Sequence, residues 1–559
     1  MKASRARKPK LKPETRKQKA ESGKRDLRFL ITAFCFLVSF VLLHYPLFRL
    51  PYYWDEVGYY IPAAMEFLRS WRLIPTNTLL TGHTPFVNVY LALVWRAFGV
   101  SPSVTRAAMI ALAAGTLAGV YALGRRVANR EIACWSVLLL ALLPLFFAQS
   151  TLAHLDLAAG LFTLLALLAL LDDHPLGFAL ASTAAVLSKE TSVVLLPVAW
   201  IFSWWQHRRT GTSWVGAWWA AYLAPFVALL AWVGFYNHAT GFLTGNSYYL
   251  RYNVYATLTP ARVLLTLLRR FYETFVGGFN WLLTTGGIAG ISWAGRSKPS
   301  VIPAMPVVPA KAGIHSLNPG TAANSAPAVV PATAVIPAKA GVHPFHVLGG
   351  GLIAAYLLML SVVGGAVLPR YLLPIFPPMV LIAVVLIWRL PRRVARSIMI
   401  VTAGCFVWAW FLNPPYPFPF EDNLAYADFI CLHERAAQLL EAQAGKQRIL
   451  TAWPATDELV HPFLGYVQKP LNVVAVQDFG GHDFDNVPPG SFDCVYLYSR
   501  HWEPANNWLR RFPWLQRLQQ RYFEYQAQIP EVELVAKYHL RLRASFERRG
   551  QWVRIYTCK

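Results

Sequence analysis

A succession of long apolar runs, separated by short basic loops, is the feature that most limits what this chain can fold into. Runs such as 103–123 and 371–388 approach the roughly 20 residues that a helix needs to cross a bilayer. Only 14% of the 559 residues are charged and 55% are hydrophobic, whereas soluble domains carry roughly 25% charged residues. The sequence therefore predicts an α-helical protein with many membrane spans.

Basic residues give these helices a direction. Residues 1–28 hold twelve Lys or Arg against three acids, which predicts a disordered cytoplasmic tail. The apolar run that follows has no small-residue cleavage site, so we expect a retained signal anchor over about 29–50. The positive-inside rule then assigns the other basic loops to the cytoplasm. These loops are 124–130, 206–211, 295–298 and 389–397.

The formal net charge of +24 has two interpretations. A basic surface can bind nucleic acid, or it can face anionic lipid from cytoplasmic loops. The basic residues interrupt apolar helices instead of lining one face, which favours membrane lipids as partners and predicts no nucleic acid.

The loop at 124–130 decides how the first part of the chain is threaded. It stays inside only if 84–99 does not cross the membrane, so that run is predicted to be an interfacial amphipathic helix. A surface helix over 56–71 precedes it, and both belong to a first external loop, 51–102. About eleven transmembrane helices result, and this odd number places the C-terminus outside. After the anchor, the predicted spans are 103–123, 131–149, 156–171, 176–188, 191–205, 213–235, 274–294, 347–367, 371–388 and 398–413.

Two segments depart from the membrane pattern. Residues 298–346 are rich in Pro, Ala and Val and contain the near repeat "VVPAKAGIHS" and "VIPAKAGVHP", which predicts a disordered cytoplasmic insertion between a membrane domain over 29–297 and the remaining helices over 347–413. Residues 414–559 are predicted to form a small periplasmic α/β domain, because short strand-like runs alternate with helical ones. The predicted helices are 424–444, 455–463 and 505–525, and the predicted strands are 448–453, 471–476, 492–498, 532–539 and 552–557.

This threading brings a set of polar side chains to the outer ends of the helices. Ionisable residues at membrane depth are costly and are candidates for function. Here they converge on one side of the membrane, which a scattered structural use would not predict. The set consists of Asp55, Glu56, His83, Arg106, His154, Asp156, Lys189, Glu190, Arg370 and Tyr371.

The adjacent acids Asp55 and Glu56, in "PYYWDEVGYY", are the leading candidates. Two acids at the start of a helix can simply cap it. A carboxylate partly desolvated by aromatic side chains at a membrane surface can instead have a pKa suited to a general base. Since neighbouring residues on a helix point in different directions, one acid could face a reacting hydroxyl while the other holds a neighbour.

Each of the other candidates also has a purely structural interpretation. Arg106 and Arg370 could anchor helices at the interface or hold a phosphate with the guanidinium fork. Lys189 and Glu190 could form an interfacial ion pair, and His83 could be a structural histidine. His154 and Asp156 could be a turn and a helix cap. Taken together, they describe an anion-binding site beside a base.

The ordered series of motifs resembles a known family. "WDEVGYY" is followed by "HTPFVNVYLALVWRAFG", "TRAAMIALAAGTLAGVYALGRR", "AHLDLAAGLFTLLALLAL", "LSKETSVVLLP" and "RYLLPIFPP". The series covers about 45–205 and 366–388. It resembles the GT-C fold membrane glycosyltransferases of the protein mannosyltransferase and aminoarabinose transferase type (glycosyltransferase family 39/83-like). Thr84 stands where the family typically has the first Pro of His-Pro-Pro.

The resemblance implies an enzyme that takes a sugar from a polyprenyl phosphate and passes it, usually with inversion, to an extracytoplasmic acceptor. It implies that Asp55 is the base and Glu56 its acidic partner, and that Arg106 and Arg370 lie near the donor phosphate, with Lys189 and His83 as secondary candidates. Lipid, glycan and protein acceptors all fit. The basic tail and loops suggest a bacterial inner membrane, which would make the donor an undecaprenyl phosphate sugar.

Three questions stay open at the level of sequence. The acids could hold a divalent metal ion, but no ligand cluster with metal-binding spacing is visible. A transporter or lipid flippase is the alternative function, although no half-to-half repeat supports it. A non-catalytic scaffold whose outer domain binds a partner is the third hypothesis.

Overall fold

Helices form most of the molecule, and a five-stranded sheet lies near the C-terminus. A computed structural model of the chain describes residues 33–78, 80–211, 216–296, 344–443, 447–502, 507, 511–523 and 528–558. The predicted tail 1–28 lies outside the described residues, as does nearly all of the predicted insertion 298–346. Its last three residues belong to a helix that begins at Pro344.

Sixteen labelled helices precede the C-terminal domain in the described part of the chain. A π-helical turn, Glu56–Tyr60, leads into the second of them. The bounds are α1 Ala33–Leu47, α2 Ile61–Ser70, α3 Phe86–Phe98, α4 Pro102–Val127, α5 Arg130–Leu142, α6 Pro144–Gln149, α7 Leu155–Leu171, α8 Pro175–Ser188, α9 Leu195–Thr210, α10 Gly216–Thr240, α11 Ser247–Asn253, α12 Pro260–Phe275, α13 Asn280–Arg296, α14 Pro344–Val362, α15 Phe376–Ile387 and α16 Arg392–Ala409.

Local sequence explains where several of these helices begin and break. The Ser101 side chain accepts a hydrogen bond from the amide of Val104 at 3.2 Å, and Pro102 opens α4. The helix predicted over 131–149 is divided into α5 and α6, because Pro144 has no amide hydrogen to continue α5.

The sequence prediction misplaced one helix and missed two. The span expected over 274–294 begins only at Asn280, after a break at Gly278, whose φ of 59° is left-handed. The helices α11 and α12 were not predicted. Helix α12 carries four charged side chains in 16 residues, which removes the continuous apolar run that marks a span.

The apolar composition and exposed apolar side chains of these helices are those of a multi-pass membrane protein. Four helices in the described residues are long and apolar enough to cross a bilayer, namely α4, α10, α14 and Pro369–Ile387. Shorter apolar helices are α1, α3, α7 and α8. Leu230 on α10 and Ile400 on α16 are more than half exposed, on surfaces that suit lipid. The count of about eleven spans stays a prediction.

The C-terminal domain contains the sheet and four labelled helices. Strands β1, β2 and β3 are mutually parallel, β5 pairs antiparallel with β3, and the order across the sheet is β2-β1-β3-β5-β4. Helix α17 packs on β4 and β5. The bounds are α17 Ala425–Gln443, β1 Ile449–Ala452, α18 Ala455–Val460, β2 Val473–Val476, β3 Cys494–Tyr498, α19 Pro513–Phe523, α20 Glu531–Tyr538, β4 Leu540–Arg548 and β5 Gln551–Cys558.

The strand predicted over 532–539 is wrong, since that segment forms α20. Its buried residues Leu534 and Tyr538 are four apart, and Val532 is 81% exposed, which is a helical period and not an alternating one. Glu531 follows Pro530 in the first turn, where acids favour a helix. The prediction missed β4, the next segment of the chain.

Candidate functional site

The loop that carries the acid pair is clamped between the helices and the C-terminal domain. The hydroxyl of Tyr466 donates to the carbonyl of Tyr52 at 2.8 Å, and the Tyr52 amide donates to the Leu464 carbonyl at 3.3 Å. Within 51–60 only three side chains are partly exposed, and the other residues are buried. The three are Trp54, Asp55 and Tyr59.

Asp55 and Glu56 point to different arginines. Asp55 precedes the π-helical turn but its side chain makes no capping hydrogen bond. Its Oδ2 pairs with Arg370, and 17% of the side chain is exposed. Glu56 is fully buried and pairs with Arg106. The capping interpretation therefore does not describe Asp55, whose carboxylate lies at the surface of a buried charged cluster.

Arg370 is the centre of that cluster. It belongs to the turn Pro369–Ile375 that leads into α15, and its guanidinium is 1% exposed. Besides Asp55, its Nη1 lies 2.6 Å from Glu421 Oε2 and its Nε lies 3.5 Å from Asp156 Oδ2. One guanidinium thus faces three carboxylates, which leaves the cluster with an excess of negative charge unless another cation or a proton offsets it.

Lys189 supplies one such cation. Its Nζ lies 2.5 Å from Asp156 Oδ1 and 3.7 Å from the centre of the Tyr371 ring. Asp156 lies in the first turn of α7, while Lys189 ends α8. Because α7 and α8 pack along each other, residues 33 apart in sequence meet at one end of the pair.

His154 completes the buried group. Its Nδ1 lies 2.7 Å from Gln149 Oε1, and its Nε2 lies 3.3 Å from Arg370 Nη1. A proton on Nδ1 satisfies both contacts, since Nε2 then accepts from the arginine. The side chain is fully buried, and Glu421 Oε2 lies 3.8 Å from Nδ1.

His83 and Glu190 form a separate pair. His83 Nδ1 lies 3.0 Å from Glu190 Oε1, and the two side chains are 18% and 32% exposed. The ring of Tyr60 lies between this pair and the buried cluster, with its centroid 6.5 Å from His83 and 5.9 Å from His154. The structure therefore brings His83 near the cluster without a direct contact to Arg370 or Asp55.

Arg106 is directed to Glu56 and to the backbone. Its Nη1 donates to the Thr151 carbonyl at 2.8 Å, and its Nη2 donates to the Pro51 carbonyl at 2.9 Å and to Glu56 Oε2 at 2.9 Å. Glu56 also accepts from the amide of Ala153 at 2.5 Å. The pair ties the loop at 51–60 to the segment before α7, and its polar groups are already occupied.

Glu421 and Arg270 were not predicted from the sequence as site residues. Glu421 is 3% exposed, and burial raises its pKa to about 7, with Arg370 opposing the rise and Asp55 and Asp156 adding to it. Its signal was the acid pair in "PFEDN", which the sequence indicated only as the entry to the C-terminal domain. Arg270 lies on the unpredicted α12, 5.6 Å from the Tyr371 ring.

Arg270 has N–H groups that donate to no other residue in the described part of the chain. Its Nη1 donates to the Leu368 carbonyl at 2.7 Å and to Glu273 at 3.0 Å. Among the residues that the structure describes, none accepts a hydrogen bond from its Nε or Nη2, although the side chain is fully buried. Buried donors without a partner are rare, and two of them on one guanidinium suit an anionic ligand.

A cavity of about 930 Å³ adjoins the cluster. It lies between α12, α13 and the proline-rich segment 413–419, and Pro369 and Asp422 also line it. Its walls are mostly apolar and aromatic, and the charged side chains that line it are Arg269, Glu273 and Asp422. Within the described residues, no group of three or more His, Cys, Asp or Glu is arranged to hold a metal ion.

Comparison with known proteins identifies the fold. Residues 82–232 match the family model described as Dolichyl-phosphate-mannose-protein mannosyltransferase. The apo structure of ArnT from Cupriavidus metallidurans matches 94% of this chain and 98% of its own at 13% identity, with a TM-score of 0.51. ArnT bound to undecaprenyl phosphate matches 93% and 98% at 11% identity, with a TM-score of 0.49.

Solved oligosaccharyltransferase structures match this chain with lower TM-scores. The oligosaccharyltransferase of Archaeoglobus fulgidus, in complex with Zn and sulfate, covers 80% of this chain and 64% of its own at 11% identity, with a TM-score of 0.41. No curated protein matches the chain in sequence. The family match and the ArnT fold confirm the resemblance expected from the sequence, and with it the enzyme class, a GT-C type membrane glycosyltransferase.

Proposed function

We propose that this chain, a glycosyltransferase with the ArnT fold, moves a sugar from a polyprenyl phosphate donor to an acceptor on the periplasmic side of a bacterial inner membrane. The observation that carries the proposal is the pairing of the partly exposed Asp55 with the buried Arg370. It places a carboxylate that an acceptor can reach beside a guanidinium whose charge can stabilise an anionic donor.

Asp55 is proposed to act as the base. The acceptor hydroxyl attacks the anomeric carbon from the face opposite the phosphate, so the new C–O bond forms with inversion. Asp55 takes the hydroxyl proton, and the polyprenyl phosphate leaves with the electron pair of the broken C–O bond. Since phosphate is a good leaving group, a positioned base and a charge-stabilising site suffice.

The donor phosphate is proposed to lie among Arg370, Lys189 and Arg270, around the Tyr371 ring. Arg370 and Lys189 are held by carboxylates that can share them with an incoming anion, and Arg270 has donors to spare. His83 is a further candidate at the edge of this group. Asp156, Glu421, His154 and Glu190 would orient these cations and the loop.

Glu56 and Arg106 receive a positioning role in this proposal. Because their polar atoms bind each other and the backbone, they hold the loop that presents Asp55 without contacting the donor.

The adjoining cavity supports a lipid-linked donor. An apolar space of about 930 Å³ beside the cationic group is suited to the first isoprene units of a prenyl chain. ArnT, whose fold the chain shares, has also been solved with undecaprenyl phosphate bound. We propose a donor of this class.

The test is sugar transfer in membranes from a panel of radiolabelled polyprenyl phosphate sugars. Asp55→Asn should lower the rate at least about a hundredfold, in the range that removal of a general base costs. Asp172→Asn, in the exposed pair of Asp172 with Arg126, is the matched control and should keep the wild-type rate. Transfer by Asp55→Asn at the wild-type rate would refute the base, and lipid translocation without any transfer would favour a flippase.

A further inference from the structure

The exposed surface around Asp55 is aromatic. Trp54 and Tyr59 flank the carboxylate as the other partly exposed side chains of the loop. Trp54 has a φ of 45°, a left-handed conformation that a bulky residue rarely adopts. Such conformations cluster at functional sites, where the surrounding structure holds them in place. This one turns the Trp54 side chain toward the C-terminal domain.

The C-terminal domain meets this loop with the end of its sheet at which the parallel strands finish. Trp453 directly follows β1, Asp478 comes two residues after β2, and Arg500 comes two residues after β3. All three therefore lie at the carboxyl ends of the parallel strands. Strand β1 has β2 on one side and β3 on the other, so the chain changes direction across it. Ligands of open α/β sheets bind at this position, outside the carboxyl ends at the change of direction.

The contacts join the loop and this end of the sheet into one surface. The Trp453 ring centroid lies 5.2 Å from that of Trp54 and 5.9 Å from that of Tyr59. The Arg500 guanidinium lies 5.7 Å from the Trp54 ring centroid and pairs with Asp478. In the described part of the chain nothing accepts a hydrogen bond from Arg500 Nε. Asp478 and Arg500 remain 39% and 21% exposed.

Building on the proposed function, we infer that this surface, formed by Trp54, Tyr59, Trp453, Asp478 and Arg500, binds the acceptor, and that the acceptor is a carbohydrate. A pyranose ring presents a face of C–H groups that aromatic side chains can cover. Its hydroxyls both donate and accept, which matches a carboxylate and a guanidinium side by side. The surface would then present one hydroxyl of the bound sugar to Asp55.

A peptide acceptor fits this surface less well. Extended peptides are commonly bound through backbone hydrogen bonds along an edge strand. The edge strands here are β2 and β4, whereas the surface lies at the ends of the three parallel strands. The available groups are side chains and ring faces.

Binding of the full-length protein in lipid nanodiscs to an array tests this inference without requiring transfer. The probes are defined bacterial surface oligosaccharides on short spacers, the same oligosaccharides as glycolipids, and Ser/Thr-containing peptides. The wild type should bind saccharides. Asp478→Asn removes the carboxylate charge and Arg500→Lys removes the guanidinium fork, so each should weaken that binding at least about tenfold. Binding to spacer-linked saccharides identifies the sugar as sufficient, and binding only to the glycolipids adds a lipid contact.

The opposite end of the same sheet, where the parallel strands begin, provides the control. Arg448 and Asp493 form a similar exposed pair at 3.0 Å, directly before β1 and β3. Arg448→Lys and Asp493→Asn should therefore bind like the wild type. The inference is overturned if no saccharide binds or if only peptides bind. It is also overturned if substitutions at the two ends of the sheet weaken saccharide binding equally. Asp55→Asn should lose transfer yet keep saccharide binding, so a failure of the base and a failure of the acceptor surface give different results.

Discussion

Arg106 binds Glu56 in a fully buried ion pair, one residue away from the carboxylate that binds Arg370. Two adjacent acids thus have separate partners and separate surroundings. The pair of Glu56 and Arg106 is enclosed and satisfied, whereas the pair of Asp55 and Arg370 opens to the surface. This division suggests that one acid fixes the loop and the other performs chemistry.

Arg106→Met should destabilise the protein. The substitution leaves the Glu56 carboxylate buried without its cation, and breaking such a pair costs about 3–5 kcal/mol. Thermal unfolding of the purified protein in detergent measures the loss. Arg126→Met removes an ion pair whose side chains are 55% and 47% exposed, and it should change stability by at most about 1 kcal/mol. Equal effects of the two substitutions would contradict the positioning role.

Arg370→Lys should slow transfer about a hundredfold, because a single ammonium group cannot hold three carboxylates in place as the guanidinium does. The Michaelis constant for the donor should rise as well, since the same cation is proposed to contact the phosphate. Steady-state kinetics with varied donor separates the two effects. Arg396→Lys, in the exposed pair with Glu131, serves as the control, and a normal rate in Arg370→Lys would refute the assignment.

Glu421 should make stability depend on pH. Burial raises its pKa to about 7 in the folded protein, from 4.5, so the folded state binds this proton more tightly than the unfolded state. The stabilisation is present below about pH 4.5 and is lost as the pH rises to about 7, on the order of 3 kcal/mol in total. Unfolding temperatures at pH 5 and pH 8 should therefore differ less in Glu421→Gln than in the wild type. Glu547→Gln, at an exposed residue, is the control and should keep the wild-type difference in unfolding temperature. If Glu421→Gln keeps it as well, Glu421 is not the source of the pH dependence.

Gly58→Ala should impair transfer through packing alone. A Cβ at this position would lie 2.6 Å from Trp453 Nε1, in a ring held by Trp54 and Tyr59. The added methyl group would push the loop and the C-terminal domain apart and displace Asp55. Gly234→Ala, which meets no atom within 4 Å on α10, should be neutral. A smaller ring in the double variant Gly58→Ala/Trp453→Phe should restore part of the activity, and its failure to do so would point to another cause.

A reporter fused after Arg130 should be active in the cytoplasm. The helix ends on either side of the turn between α4 and α5 carry Arg125, Arg126 and Arg130, and basic segments that flank spans stay inside. A second reporter fused after Tyr498, within the C-terminal sheet, should be active in the periplasm. A periplasmic signal from the first fusion would make α3 a span and reverse the proposed orientation.

Much of the fold could be predicted because it depends on local patterns. The helices at 56–71 and 84–99, the succession of apolar helices and most strands of the C-terminal domain follow from periodicity and capping residues close in sequence. The errors fell where those patterns mislead. Helix α12 has too many charges to form the continuous apolar run by which the other helices were predicted, and α20 has β-branched residues that resemble a strand pattern.

The sequence by itself determined that this protein is helical and membrane-embedded, and it singled out Asp55, Arg370, Asp156 and Lys189 as chemically unusual. Only the tertiary structure decided their partners. Asp55 meets Arg370 across 315 positions of chain and Glu56 meets Arg106 across 50, and Glu421 joins the cluster from the start of the C-terminal domain. Helix packing and the docking of the C-terminal domain set these distances, and such long-range contacts leave no periodic trace in a single sequence.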